Sequence, residues 1–150
     1  QTIGRSLWDF IGDETVRHLY REILRQVRAG EAVRFNFRCD SAECRRLLEM
    51  SISRHGDGDV QFETRCLNAE CRPPQKLLEL NAQRAGEMVI MCAWCNRINV
   101  AGETWEEVEE AVVSLRLFDR TQLPPISHGM CRDCYRRISE TVAAKKSTTV

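Results

Sequence analysis

Cys92-Ala93-Trp94-Cys95-Asn96-Arg97 and Ser127-His128-Gly129-Met130-Cys131-Arg132-Asp133-Cys134 are the two stretches whose reading decides the fold. Each C-x-x-C lets one turn aim two thiols at a single point, and two such pairs supply the four soft ligands that zinc takes at tetrahedral corners. The first pair follows a short apolar run, Met88-Val89-Ile90-Met91, and the second opens a segment with helical periodicity through Ile138 and Val142. A helix start suits thiolates, because its free amides and dipole stabilise negative charge. Cys92, Cys95, Cys131 and Cys134 are therefore expected to hold one structural zinc ion, with Arg97, Arg132, Arg136 and Arg137 near enough in sequence to offset the thiolate charge.

A knuckle paired with a helix N-terminus is the layout of a treble-clef zinc site. His128, three residues before Cys131, sits in an expected Ser127-His128-Gly129 turn. It reads as a donor behind the ligands or as an alternative ligand, and the former is favoured because four cysteines already fill the tetrahedron. A catalytic zinc would show three protein ligands and a water, so metal hydrolysis is not expected. Redox chemistry at C-x-x-C needs a thioredoxin-like βαβ context, which the sequence lacks, and haem attachment needs histidine where Asn96 stands. Trp94, inside the knuckle, is expected to pack over the site, and Trp8 and Trp105 to anchor cores.

The chain has 8 cysteines, too many to ignore. Long periodic segments that can bury a core unaided argue against a secreted disulfide scaffold and for a reducing, cytoplasmic setting. Cys39, Cys44, Cys66 and Cys71 form a looser set: Cys39 and Cys44 flank one hairpin turn and Cys66 lies on the neighbouring strand. A second metal or disulfide site is geometrically conceivable there, but the expected role is that of buried thiols acting as small hydrophobes.

Residues 13–29 read as an amphipathic helix, with Asp13 as cap, Val16, Leu19, Tyr20, Ile23, Leu24 and Val27 on one face, and Gly30 after the end. Alternation then predicts three antiparallel strands: Val33 to Cys39, a second through Leu48, Met50 and Ile52, and Val60 to Cys66. His55-Gly56-Asp57-Gly58-Asp59 is a hairpin turn. Phe35, Phe37, Met50, Ile52, Val60 and Phe62 are expected to share a core. Arg72-Pro73-Pro74-Gln75 marks a linker, Thr104 and Glu107 form a capping box for a helix carrying Val108, Ala111 and Val112, and Leu123-Pro124-Pro125 forces an extended connection. The fold class is α+β: residues 1–72 as a helix plus an antiparallel three-stranded sheet, 73–87 as linker, 88–142 as the zinc unit, and 143–150 as a disordered tail.

With 22 basic and 22 acidic residues there is no global field to recruit nucleic acid. No apolar run is long enough for a membrane span. The chain starts at Gln1, and an amphipathic helix follows almost at once, which reads as a fragment of something longer. No phosphate loop, nucleophile elbow or histidine–nucleophile pair is present, so an enzyme is not expected.

Gly4-Arg5-Ser6-Leu7-Trp8-Asp9-Phe10-Ile11, the following helix, Phe37-Arg38-Cys39-Asp40-Ser41 and Arg45-Arg46-Leu47-Leu48-Glu49-Met50 resemble the latter half of a bacterial PAS domain. Cys92-Ala93-Trp94-Cys95-Asn96-Arg97-Ile98 through Trp105 to Ser127-His128-Gly129-Met130-Cys131-Arg132-Asp133-Cys134 resembles a cysteine-rich module found beside PAS and other signalling domains in bacteria. The resemblance implies a non-enzymatic sensory or protein-interaction role, acting on a protein partner or an attached output domain. No histidine stands out as a haem ligand, and neither haem nor flavin is expected. The alternatives are a nucleic-acid-binding zinc domain using Arg132, Arg136, Arg137, Lys145 and Lys146, or a thiol-based redox sensor. The first two PAS strands have no counterpart before Gly4, so the strand Val60–Cys66 is expected to have its edge covered either by Met88–Met91 or by a second copy in a homodimer.

Overall fold

The computed structural model describes residues 3–118 and 120–144; of the tail expected at 143–150, Ala143 and Ala144 are helical and the rest lies outside the described residues. Helix α1, Glu14–Arg28, begins where Asp13 Oδ1 accepts from Val16 N (2.9 Å) and ends before Gly30, whose φ of 101° few other residues adopt. Strands β1 (Val33–Arg38), β2 (Cys44–His55) and β3 (Asp59–Cys71) form an antiparallel meander in that order. Gly56 (φ 52°) and Gly58 (φ 147°) turn the chain between the last two strands, as the sequence predicts. Register places Phe35 opposite Met50 and Ile52 opposite Phe62.

A second sheet has the order β6-β5-β4-β7, built from β4 (Val89–Cys92), β5 (Ile98–Ala101), β6 (Thr104–Glu106) and β7 (Ile126–Gly129). Within this sheet β4 and β7 run parallel, and the other neighbouring strands run antiparallel. Helix α2, Val108–Ser114, packs on this sheet, and α3, Arg132–Ala144, follows β7. No described helix is long and apolar enough to cross a membrane.

Two cores result. The first combines Val16, Leu19, Ile23 and Val27 of α1 with Val33, Phe35 and Ile52 of the meander, and with Cys92, Trp94, Cys131, Cys134, Ile138 and Val142. It thus joins residues on both sides of segment 73–87. A buried hydrogen bond from Gln26 Nε2 to Val142 O (2.6 Å) ties α1 to α3 within it. The second core gathers Leu77, Met91, Ile98, Val108, Ala111, Val112 and Leu117. Within segment 73–87, Leu77 is buried in this second core, and the Arg84 guanidinium donates to Leu77 O, Glu79 O and Pro124 O at 2.9–3.0 Å.

Several expectations are corrected. Thr104 lies in β6 and Glu107, the N-cap of α2, makes no side-chain capping bond; its carboxylate is committed to arginines instead. Ser127-His128-Gly129 is strand β7, not a turn, because parallel pairing with β4 extends it. Phe35 and Ile52 are buried and Phe37, Met50 and Val60 pack against them, but Phe62 remains 40% exposed on the edge strand. Trp105 packs half-buried against the first core as expected, whereas Trp8 is half-buried and outside both clusters, and Trp94 is the tryptophan buried within the first. Of the run Met88 to Met91, residues 89–91 join the second sheet as part of β4, and no described strand pairs with the outer edge of β3.

An ion-pair network fastens the meander to α2. The Asp40 carboxylate, fully buried, accepts from Arg38 and forms an ion pair with Arg72 Nη1 (3.3 Å). Arg38 also reaches Glu107 (2.7 Å), which takes Arg97 (3.2 Å), while Glu109 takes Arg45 (2.8 Å) and Arg72 (3.2 Å). Removing one charge from such a buried set strands its partners. Asp40→Asn is expected to lower unfolding free energy by on the order of 3 kcal/mol in denaturant titration. Arg136→Met, which breaks the exposed Arg136–Asp133 pair, is expected to cost under about 1 kcal/mol.

Candidate metal centre

Local chain geometry delivers each of the four cysteines. At the end of β4 the backbone folds back on itself: Cys92 N donates to Arg97 O (2.8 Å) and Asn96 N to Cys92 O (3.0 Å). Closing that turn needs a left-handed residue, and Asn96 supplies it at φ 59°; asparagine tolerates this conformation better than most side chains. The parallel β4–β7 pairing sets Cys92 opposite Gly129, and Ala93 N donates to Gly129 O (2.9 Å). Two residues further on, the chain enters α3 with Cys131 O accepting from Tyr135 N (3.0 Å) and Cys131 N donating to Cys92 Sγ (3.4 Å). One helical turn carries Cys134 to the same place.

The four ligand atoms all lie within 4.8 Å of one another, with Cys92, Cys131 and Cys134 buried and Cys95 half-buried. Bonds of about 2.3 Å from a tetrahedral ion put sulfurs about 3.8 Å apart. The Cys95 and Cys131 sulfurs are 3.8 Å apart. Donor type, number and spacing therefore fit a closed four-thiolate site. Without a cation the thiols share protons unevenly. Hydrogen bonds from Cys134 and Cys95, with the Cys131 amide, hold Cys92 well below the usual thiol range. The contact with Cys134 favours ionisation of Cys95, but the bond to Cys92 and burial outweigh it and push Cys95 up to about 12. Cys134 is raised through its bonds to Cys92 and Cys95 and by burial.

Of the arginines expected to offset this charge, Arg137 donates to Cys134 Sγ (3.6 Å). The Glu107 carboxylate, with the nearby Cys95 and Cys131 sulfurs, holds the Arg97 guanidinium charged. Arg132 and Arg136 instead pair with Glu103 and Asp133 on the surface. His128 is exposed on β7 and outside the ligand group.

Trp94 packs in one core with Cys92, Cys131 and Cys134, as expected from its place in the knuckle; its ring partners and the role of Asn96 are what spacing alone did not reveal. Trp94 is 3% exposed, packs on Phe35 (5.6 Å between centroids) and Tyr20 (5.8 Å), and its buried Nε1 has no partner among the described residues. Arg38 N donates to Trp94 O (2.7 Å). The Asn96 amide, oriented to suit its neighbours, donates to Arg38 O (3.1 Å) and accepts from Asp40 N (2.9 Å). An asparagine directly after C-x-x-C was the available signal for this link. The other cysteines do not converge on the site: Cys39, Cys66 and Cys71 are exposed and Cys44 half-buried, so their expected burial as small hydrophobes is not found. They lie at strand ends and on the outer strand, where no layer covers them.

Elemental analysis is expected to find one thiophilic metal ion per chain, released progressively as acid protonates the thiolates. Cys134→Ser is expected to lose the metal, and His128→Ala to keep it; stoichiometric metal in Cys134→Ser would remove Cys134 from the site. No family model, curated protein or solved structure matches this chain, so its functional reading rests on the chemistry of the site.

Proposed function

We propose that the chain is a non-enzymatic, PAS-like sensory or protein-interaction module whose pocket wall is fixed by a structural zinc ion at Cys92, Cys95, Cys131 and Cys134. The observation that carries this reading is the position of Trp94. It belongs to the cysteine knuckle, yet it lines a cavity of about 420 Å³ between α1 and the meander, together with Val16, Tyr20, Phe35, Phe37 and Met50. Small-molecule sites are apolar clefts of roughly this size, about 300–1,000 Å³. A hairpin knuckle facing a helix start supports the treble-clef assignment, and four thiolates leave zinc no open position for catalysis. The surface pairing of Arg132 and Arg136 with acidic side chains weakens the nucleic-acid alternative.

A second copy of the chain is the partner this reading assigns to the open edge of β3. Antiparallel self-pairing centred on Thr64 would place Glu63 of each copy opposite Arg65 of the other, a self-complementary arrangement about a two-fold axis.

Two measurements test these assignments. With Trp8→Phe and Trp105→Phe leaving Trp94 as the sole tryptophan, titration with a small arene such as butylbenzene is expected to shift emission saturably. Val16→Phe, which fills the cavity, is expected to weaken that response at least tenfold with metal retained. Absence of a saturable response would discard the sensory pocket. Light scattering across a concentration series is expected to show a dimer, and a Thr64→Pro chain is expected to be monomeric because proline removes an edge amide; a strict monomer in both would discard the β3 interface.

A further inference from the structure

Outside the metal centre, one pair of cysteines is placed for covalent chemistry. Cys44, the first residue of β2, is directly opposite Cys71, the last residue of β3. The adjacent pair in the same register is Glu43 with Arg72, and there Arg72 N donates to Glu43 O (2.9 Å). Hydrogen-bonded and non-hydrogen-bonded pairs alternate along an antiparallel ladder, so Cys44 and Cys71 occupy a non-hydrogen-bonded pair. Such residues have Cα atoms about 4.5 Å apart with side chains on one face. Disulfides span Cα separations of about 4.4–6.8 Å. The other two thiols lack this relation: Cys66 is opposite Leu48, and Cys39 N bonds to Arg46 O on β2. Cys71 is exposed and Cys44 half-buried, so an oxidant reaches the pair without unfolding the hairpin.

We infer that Cys44 and Cys71 form a reversible cross-strand disulfide, a redox-modification site separate from the four metal-binding cysteines. With a small-molecule disulfide as oxidant, one protein thiolate attacks it, forming a mixed disulfide and expelling one small thiolate. The second protein thiolate then attacks the mixed disulfide, forming the Cys44–Cys71 bond and expelling the other. Two electrons pass from the protein sulfurs to the oxidant, and the two thiol protons leave with the small thiols. The bond would staple the open end of the β2–β3 hairpin between Arg45 and Arg72, both of which hold Glu109 of α2. Oxidation there would rigidify the junction between the meander and the second sheet. The inference stands on strand register and does not rest on the sensory reading.

The test uses the full metal-loaded chain treated with oxidised glutathione, then digested and mapped without reduction. The expected result is a peptide linking Cys44 to Cys71, with intact mass lower by about 2 Da for the two hydrogens lost. Metal stoichiometry is expected to be unchanged and dithiothreitol to reverse the change. The Cys39→Ser, Cys66→Ser double variant is expected to form the same link, and Cys44→Ser to leave Cys71 as a glutathione adduct. Linkage of Cys71 to Cys39 or Cys66, glutathione adducts alone in the unsubstituted chain, or metal loss before any Cys44–Cys71 bond appears would each overturn the assignment.

Discussion

Four sulfur atoms confined within 4.8 Å of one another, three of them on buried residues, impose the constraint on which the rest of the structure depends. Without a cation they cannot all ionise, and the burden falls unequally, with Cys92 driven toward thiolate and Cys134 away from it. A divalent, thiophilic ion would resolve that conflict by replacing shared protons, and its binding energy would become folding energy for whatever the cysteines support. Here they support more than a small local loop. Cys92, Cys131 and Cys134 belong to the same core as α1 and the first two strands of the meander.

The coupling runs through a few identifiable contacts. Trp94 inserts between Tyr20 and Phe35. Arg38, the last residue of β1, is held at both backbone groups, by Trp94 O and by the Asn96 amide. Its side chain meets Asp40 and Glu107. These links turn the end of one sheet and the knuckle of the other into a single packed joint. A change in the cavity beside Trp94 therefore has a short physical route to the metal centre, through packed rings and main-chain hydrogen bonds.

How far the sequence reveals this depends on the range of the interaction. The α1 boundaries are local: Asp13 caps and Gly30 stops, and both act within one turn. The β2–β3 turn is equally local, and each C-x-x-C spacing announces one half of the cysteine cluster, although the β4–β7 pairing is what brings the two halves together. What escaped is non-local. Strand β7 exists because β4 lies beside it, and nothing within Ser127-His128-Gly129 announces that. Glu107 reads as a capping residue until Arg38 and Arg97 arrive from distant segments to claim it. The exposure of Cys39, Cys66 and Phe62 likewise depends on which layer covers each strand, and alternation alone does not say that β3 is left on the outside.

The central claim is that the metal centre and the helix-meander unit are one cooperative structure. Amide hydrogen exchange, followed residue by residue as a chelator strips metal from the chain, tests it most directly. If the joint is as described, the amides of Val33–Arg38 and of Val89–Cys92 lose protection together, at the same chelator concentration. Protection retained along Val33–Arg38 after the knuckle amides have exchanged would contradict it, and would make the two halves independent folding units.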